Sequence, residues 1–261
     1  MRFIDLFAGV GGFRRGMESA GHECVGFCEI DKYAVMSYTA MHLATDAQLD
    51  YLQSLPFRQR QKEILKEEYR NGEWYASDIN TIRADDIPDA ECWCFGFPCQ
   101  DISVAGRQEG FTGDRSSLLF TVLRLLREKG DGKPRWLFCE NVKNLLSINA
   151  GWDFARVLFE MDDIGYDVEW QVIDSQHHGV PQHRERIFLV GHLRGTCTGQ
   201  VFPIPEPIGQ DQIHGVAQVG MCQSDRHNPN QWRVYDPSGI APTLTGSMGG
   251  GQTAPHHNGG G

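Results

Sequence analysis

The sequence predicts an α/β protein built on a doubly wound, mostly parallel sheet covered by helices. Up to Leu193, short apolar runs typical of strands alternate with segments of helical periodicity, as in proteins with a parallel sheet. The length of 261 residues suits one large domain, or one domain and a smaller piece. From about Gly195 onward proline, glycine and glutamine dominate. We therefore expect one large domain over 1–194 and a separate region over 195–261.

The first elements follow one another closely. Residues 2–7 predict a buried strand, which leads through a glycine turn into a helix over 12–20. Residues 24–30 predict the second strand, and Asp31 is placed to cap a helix over 32–42. Residues 46–70 predict an inserted helical segment whose many charges face solvent.

The remaining elements continue the alternation until the last two strands, which are joined by a polar connection. The predicted helices cover 116–130 and 152–165, and the predicted strands cover 74–79, 91–97, 135–140, 166–174 and 186–193.

Composition excludes several classes of protein. No apolar run approaches the roughly 20 residues that span a bilayer. Asp5 interrupts the apolar start where a signal peptide would be continuous, so we expect a cytoplasmic protein without membrane contact. The net charge of −10 is unlike that of a nonspecific nucleic-acid binder, although it leaves room for a local basic cleft.

The cysteines indicate packing in a reducing compartment, because five of the eight lie in strand-like runs. Their spacing differs from that of a structural zinc site, so we expect no metal. These five are Cys24, Cys28, Cys92, Cys94 and Cys139.

Polar and glycine residues follow the first three strands, where open α/β sheets bind ligands. The glycines let the backbone approach a ligand closely. Glu29, about 20 residues further on, suits both hydroxyls of a ribose. Asp78 suits an adenine amine, with Ile79 against the ring. Taken singly, each acid could be a helix cap or a surface charge, but together they favour a nucleoside cofactor. The glycines are Gly9, Gly11 and Gly12.

Cys99 ends the fourth strand and follows Pro98, which restricts the backbone. Alone, it could be one more packing cysteine. Glu140 ends the next strand, and alternation places the side chains of Gln182, Arg184 and Arg186 on one side of an extended segment. A thiolate requires nearby positive charge, and a carboxylic acid can protonate a heterocycle under attack. Together with Glu140 and the two arginines, Cys99 is more readily explained as a thiol nucleophile than as a packing residue. The histidines at 177, 178 and 183 are assigned no role.

These residues lie in four motifs that resemble those of the DNA cytosine-5 methyltransferases. In order along residues 3–191 they are "DLFAGVGGF", "GFPCQDIS", "ENVKNLL" and "GVPQHRER". The resemblance implies the Rossmann-like fold of S-adenosylmethionine-dependent methyltransferases. It also implies S-adenosylmethionine as cofactor and duplex DNA as substrate, with the target base flipped out of the helix.

The resemblance implies a role for each matching residue. Cys99 would attack carbon 6 of cytosine, while Glu140 would engage ring nitrogen 3 and the exocyclic amine. Arg186 would support the oxygen at carbon 2, and Arg184 would lie near the thiolate and a phosphate. Residues 100–117 would form a loop that closes over the base. Implied substrate contacts are Pro98, Gln100, Gln182, Thr243 and Leu244; implied cofactor contacts are Phe7, Ala8, Gly9, Gly11, Gly12, Glu29, Ile30, Asp78, Ile79 and Leu118.

The sequence departs from the family at its far end. Residues 233–246 resemble the part of a recognition domain that carries a Thr-Leu pair, after which the chain becomes glycine-rich. The family's final motif and closing helix have no counterpart. We therefore expect weak cofactor binding and little methyl transfer by this chain alone, and activity on adding a second polypeptide that supplies those parts.

Three alternatives remain open at this point. A tRNA cytosine-5 methyltransferase would share the catalytic residues. A non-catalytic remnant would bind cofactor or DNA without turnover. A nicotinamide oxidoreductase is disfavoured, because hydride transfer leaves Cys99 and the arginines without a role. A cognate restriction endonuclease is a further expected partner of a modification enzyme.

Overall fold

A seven-stranded sheet forms the centre of the protein. The computed structural model describes residues 1–97, 118–179, 182–196 and 200–205, and the backbone of the short strands Gln218–Met221 and Arg233–Tyr235. The order in the sheet is β3-β2-β1-β4-β5-β7-β6. Its strands are β1 (Arg2–Leu6), β2 (Glu23–Cys28), β3 (Trp74–Ala76), β4 (Cys92–Gly96), β5 (Trp136–Val142), β6 (Tyr166–Asp174) and β7 (Glu185–Leu193).

The strand directions confirm the predicted fold class. Neighbouring strands from β3 to β5 run parallel, and β7 pairs antiparallel with β5. The order reverses between β1 and β4, which is the position where open α/β sheets bind their ligands. Because β1, β2, β4 and β5 are parallel, their carboxyl ends lie along the same edge of the sheet.

Helices cover both faces of this sheet. Ile4 and Leu6 of β1 pack on one face with Leu119 and Leu123, whereas Phe3 packs on the other face with Met17. Such a two-sided core explains why the strands read as nearly continuous apolar runs. The helices are α1 (Gly12–Ser19), α2 (Lys32–Tyr38), α3 (Asp46–Ser54), α4 (Phe57–Glu63), α5 (Leu118–Glu128) and α6 (Trp152–Asp163).

The helix after β2 differs from its prediction in the last turn. Asp31 caps α2 as expected, because its carboxylate accepts from the backbone N–H groups of Tyr33 and Ala34. The α-helix ends at Tyr38, and a π-helical turn, Thr39–Leu43, takes over. The helical periodicity of the sequence does not distinguish these two kinds of turn.

The inserted segment, residues 46–70, forms a small helical unit with its own core. A capping box between Thr45 and Gln48 starts α3, and Pro56 separates α3 from α4. Its buried side chains are Leu52, Ile64 and Tyr69. Just beyond the segment, Asn71 Nδ2 donates to the carbonyl oxygen of Leu43 at 2.6 Å.

The chain divides into two compact units. The first comprises Met1–Ile173 and Glu185–Pro205, and the second comprises Asp174–Arg184 and Glu206–Gly261. Within the first unit, the backbone N–H groups of Val201 and Phe202 donate to the carboxylate of Glu169 on β6. Within the second unit, β8 (Gln218–Met221) pairs antiparallel with β9 (Arg233–Tyr235). In the part of the chain that the structure describes, no helix is long and apolar enough to cross a membrane.

Candidate active site

The glycine turn, residues 7–12, connects β1 to α1 through several residues of positive φ. Phe7, Gly9 and Gly11 have φ values of 56°, 55° and 87°. The glycines adopt this conformation without strain, whereas for Phe7 it is rare and unfavourable. The backbone N–H of Gly11 donates to the Ala8 carbonyl at 2.8 Å, which closes the turn. Gly12 begins α1.

Glu29 fixes the glycine turn from the neighbouring strand. One carboxylate oxygen accepts from the backbone N–H of Gly9 at 2.8 Å, and the other accepts from Asp31 N–H at 2.7 Å. Ile30 beside it is 74% exposed. An ordered carboxylate next to an exposed apolar side chain fits the sugar and base of a nucleoside. These contacts also show that Glu29 has a structural role that the sequence did not reveal.

Asp78 lies near Glu29 at the same edge of the sheet. It caps a short 3-10 helix, with its Oδ1 accepting from Asn80 N–H at 2.9 Å. Burial, together with the charges of Glu29 and Asp78, raises the pKa of the Cys28 thiol to about 12. The two predicted cofactor acids therefore flank one thiol, which stays protonated. Ile79 is buried in the main core, and Leu118 packs against that core from the start of α5.

Asp5 is a buried acid below the glycine turn whose importance the sequence analysis missed. It is 0% exposed, and within the described residues no donor lies in good hydrogen-bonding geometry with either carboxylate oxygen. Burial raises the pKa of this carboxyl well above its ordinary value, against the opposing effects of the nearby Arg14 backbone and guanidinium. The negative charge of Glu29 raises the pKa further. Asp5 is therefore neutral over a wider pH range than an ordinary aspartic acid.

Arg14 connects α1 to the start of β3. Its guanidinium nitrogens lie 2.7 Å from both carboxylate oxygens of Glu73, and its Nε donates to Glu18 at 2.9 Å. Arg14 is 5% exposed, and its guanidinium also lies over the ring of Tyr38. A bidentate pair of this kind holds the helix that follows the glycine turn in one position.

Glu140 on β5 and Arg186 on β7 form a polar pair near the carboxyl end of β5. Arg186 Nε lies 2.8 Å from Glu140 Oε1, and both side chains are half-buried. Pairing of β5 with β7 places Glu140 opposite Phe188 and Val142 opposite Arg186. Gly96 provides space for the carboxylate, since a Cβ there would lie 3.3 Å from Glu140 Oε2.

Asn141 is a second functional candidate that the sequence analysis did not single out. It is 3% exposed, and its Nδ2 donates to the Phe97 carbonyl oxygen at 2.8 Å. Its Oδ1 accepts from Val142 N–H at 2.8 Å. Asn141 therefore fixes the backbone immediately before Pro98 and Cys99. Its place in "ENVKNLL", directly after Glu140, was the available signal.

The other predicted site residues divide into two groups. In the second compact unit, Arg184 is exposed, and its backbone N–H donates to Asp174 Oδ1 at 2.9 Å. In the same unit the Gln182 carbonyl accepts from the Ser175 hydroxyl. Pro98, Cys99, Gln100, the loop over 100–117, Thr243 and Leu244 lie outside the described residues. Among the described residues, no cluster of side chains could hold a metal ion.

Comparison with protein families identifies the class to which this fold and site belong. The profile described as "C-5 cytosine-specific DNA methylase" matches residues 1–54 and 57–236. The chain therefore belongs to the C-5 cytosine-specific DNA methylase family.

Two curated relatives illustrate the extent of the similarity. Type II methyltransferase M.BsuFI of Bacillus subtilis is 38% identical over 235 residues, which are 90% of this chain and 48% of that protein. Type II methyltransferase M.HhaI of Haemophilus parahaemolyticus is 37% identical over 207 residues, which are 79% of this chain and 53% of that protein. The chain thus spans about half the length of these relatives.

Solved structures share the fold at lower identity. The S. pombe Dnmt2 methyltransferase matches with a TM-score of 0.53 and 19% identity, over 77% of this chain and 53% of that one. The Entamoeba histolytica methyltransferase EhMeth matches with a TM-score of 0.51 and 18% identity, over 79% and 57% of the two chains. At this identity the likeness establishes the Rossmann-like fold alone.

Proposed function

We propose that this protein transfers a methyl group from S-adenosylmethionine to carbon 5 of cytosine in duplex DNA, with Cys99 as the nucleophile. The Glu140–Arg186 pair carries the proposal. Arg186 Nε and Glu140 Oε1 lie 2.8 Å apart. Glu140 is two residues before the end of β5 and pairs with Gly96 of β4, the strand that precedes Pro98 and Cys99. A paired carboxyl and guanidinium suit a ring that carries both donor and acceptor groups, as cytosine does.

The cofactor proposal is supported by the donor set around the glycine turn. The Glu29 carboxylate is ordered by two backbone N–H groups, and Ile30 presents an exposed apolar surface beside it. A Cβ at Gly9 would meet nothing within 4 Å, so this side of the turn is open. These features fit a nucleoside. When bound, S-adenosylmethionine supplies an electrophilic methyl group on a sulfonium.

The proposal assigns a role in binding or activating cytosine to the other residues of the site. Carbon 5 of cytosine is a weak nucleophile until a thiolate adds at carbon 6, and Cys99 would supply that thiolate. Glu140 would hold ring nitrogen 3 and the exocyclic amine, and Arg186 would hold the oxygen at carbon 2. Asn141 would keep the backbone at Phe97 in place through its 2.8 Å hydrogen bond. Arg184 would contact a phosphate of the DNA.

The nucleophile can be tested by trapping. With S-adenosylmethionine and the second polypeptide expected above both present, a duplex of mixed sequence that contains 5-fluorocytosine should give a denaturation-resistant complex. Release of Cys99 requires loss of the carbon 5 proton, and fluorine takes the place of that proton. Cys99→Ala should abolish the complex, whereas Cys24→Ala, which alters a buried packing thiol, should retain it. Trapping by Cys99→Ala would contradict the assignment. Adducts on tRNA but not on duplex DNA would move the substrate to RNA.

The cofactor site can be tested independently of chemistry. A charge-assisted hydrogen bond is worth roughly 1.5–3 kcal/mol, so Glu29→Ala and Asp78→Ala should each weaken binding roughly tenfold to a hundredfold in calorimetry. Asp85→Ala, which removes an exposed acid from the same region, is the control. Unchanged affinity in both variants would leave the two acids with only their capping and turn-fixing roles.

Two further parts of the proposal concern partners and location. The relatives are named type II methyltransferases, which supports a modification role beside a cognate restriction endonuclease. The contribution of a second polypeptide and the cytoplasmic location remain predictions from the sequence.

A further inference from the structure

The imidazole of His42 supports the glycine turn from the π-helical turn that follows α2. Its Nε2 lies 2.9 Å from the carbonyl oxygen of Val10. A carbonyl oxygen can only accept a hydrogen bond, so Nε2 must carry the proton in this contact. The function of the site proposed above assigned no role to His42.

The ring also occupies the space behind Gly11. A Cβ added to Gly11 would lie 2.3 Å from His42 Nε2 and 2.7 Å from its Cδ2. By contrast, a Cβ at Gly9 or Gly12 would meet nothing within 4 Å. The turn is therefore closely supported on its Gly11 side and open at the other two glycines.

His42 is itself held in a defined position. Its ring meets the ring of Tyr38 edge-on, with centroids 5.0 Å apart, and Tyr38 stacks on Phe27 at 4.0 Å. The π-helical turn is closed by a 2.8 Å hydrogen bond from Ala44 N–H to the Thr39 carbonyl. Turns of this kind are rare and frequently occur at functional sites.

We propose that His42 is a positioning residue for the cofactor, which acts by holding Val10 and Gly11 in their binding conformation. The inference depends on the proposed function, because it takes the glycine turn to be the cofactor's binding element. Glu29 fixes the turn at Gly9 through a 2.8 Å hydrogen bond, and His42 fixes it one residue later from another element. Loss of His42 leaves the Val10 carbonyl without this donor and the space behind Gly11 unfilled, so cofactor binding must also reorder the turn.

Calorimetric binding of S-adenosylmethionine to the 261-residue chain provides the first test. His42→Ala should weaken binding about tenfold, since it removes one hydrogen bond and the ring that supports the turn. His42→Gln restores a donor and should recover part of that loss, a rescue that an unrelated packing role does not predict. His22→Ala is the control, because the imidazole of this histidine pairs with the chain's amino terminus at 3.4 Å and makes no contact with the glycine turn among the described hydrogen bonds.

A double-mutant cycle with Gly11→Ala provides the second test. Gly11→Ala and the double variant Gly11→Ala/His42→Ala share the backbone strain at φ 87°. The difference between their cofactor affinities therefore measures the clash of the new methyl group with the imidazole. The double variant should bind the cofactor more tightly than Gly11→Ala alone, because removing the ring makes room for the new methyl group. Melting temperatures recorded for each variant confirm that folded protein is compared.

The outcomes separate this inference from the proposed function. If the unaltered chain binds no S-adenosylmethionine, the proposed function fails. If it binds but His42→Ala binds equally well, or if the two losses simply add, the positioning role is wrong and the proposed function stands.

Discussion

Replacing Asn141 with alanine tests how the end of β4 is fixed beside the reaction site. The buried amide joins two strands, with Nδ2 donating to the Phe97 carbonyl and Oδ1 accepting from Val142 N–H, both at 2.8 Å. Alanine removes both bonds and leaves a carbonyl oxygen and an N–H group without these partners. At 3% exposure of the Asn141 side chain, water does not readily replace them.

The expected loss of stability follows from these contacts. Each hydrogen bond contributes about 1 kcal/mol net, and a buried polar group left unpaired costs about 1–3 kcal/mol. Partial relaxation of the two strands reduces the sum, so Asn141→Ala should lower the free energy of unfolding by about 2–4 kcal/mol. Asn144→Ala is a matched control three residues later. Its side chain is exposed and, among the described residues, hydrogen-bonds only to the Ser147 hydroxyl.

Urea denaturation measures the stability change, and the rate of adduct formation with 5-fluorocytosine DNA measures the functional one. If the amide positions the backbone before Cys99, adduct formation by the folded variant should slow by at least about tenfold, equivalent to about 1.4 kcal/mol. An Asn141→Ala protein that loses less than about 0.5 kcal/mol and traps DNA at the normal rate would refute this reasoning.

Two further predictions concern charges below the glycine turn. Arg14→Ala leaves Glu73 without its bidentate partner and should lower the free energy of unfolding in urea by about 3–5 kcal/mol. Arg124→Ala, in an exposed pair with Glu128, should lower it by less than about 1 kcal/mol. Equal losses in the two variants would contradict this ranking. Asp5→Asn should stabilise the protein more at about pH 8 than at about pH 5. In the folded protein the raised pKa keeps Asp5 protonated, whereas in the unfolded chain Asp5 ionises above the ordinary aspartate pKa. The stability of the unaltered protein therefore falls as the pH rises, and asparagine at this position removes that loss. A difference between Asp5→Asn and the unaltered protein that does not change with pH would count against a neutral buried Asp5.

The strands and most helices were predictable because their buried faces leave a direct pattern in the sequence. The run 2–7 is nearly all apolar because β1 is covered on both faces, and the observed strand, Arg2–Leu6, differs from the prediction by one residue. Asp31 could be identified as a cap because a capping residue acts on its immediate neighbours in the chain.

The missed features depend on contacts between distant residues. Arg14 and Glu73 are 59 positions apart, and nothing near either residue identifies its partner. The π-helical turn is too short to leave a pattern of its own in the sequence, and its contact with Val10 spans 32 positions. Asp5 was visible as a polar residue in an apolar strand, but only the packing of α1 over β1 shows that it is fully buried.

The contact between Asn71 and Leu43 has a consequence for redesigning this protein. The 2.6 Å hydrogen bond brings the entry and exit of the inserted segment together, so the chain enters the segment and leaves it at nearly the same point. The number of residues between Leu43 and Asn71 can therefore change without changing the distance between β2 and β3. A fluorescent or affinity module can therefore be inserted within the segment while Leu43 and Asn71 are both kept.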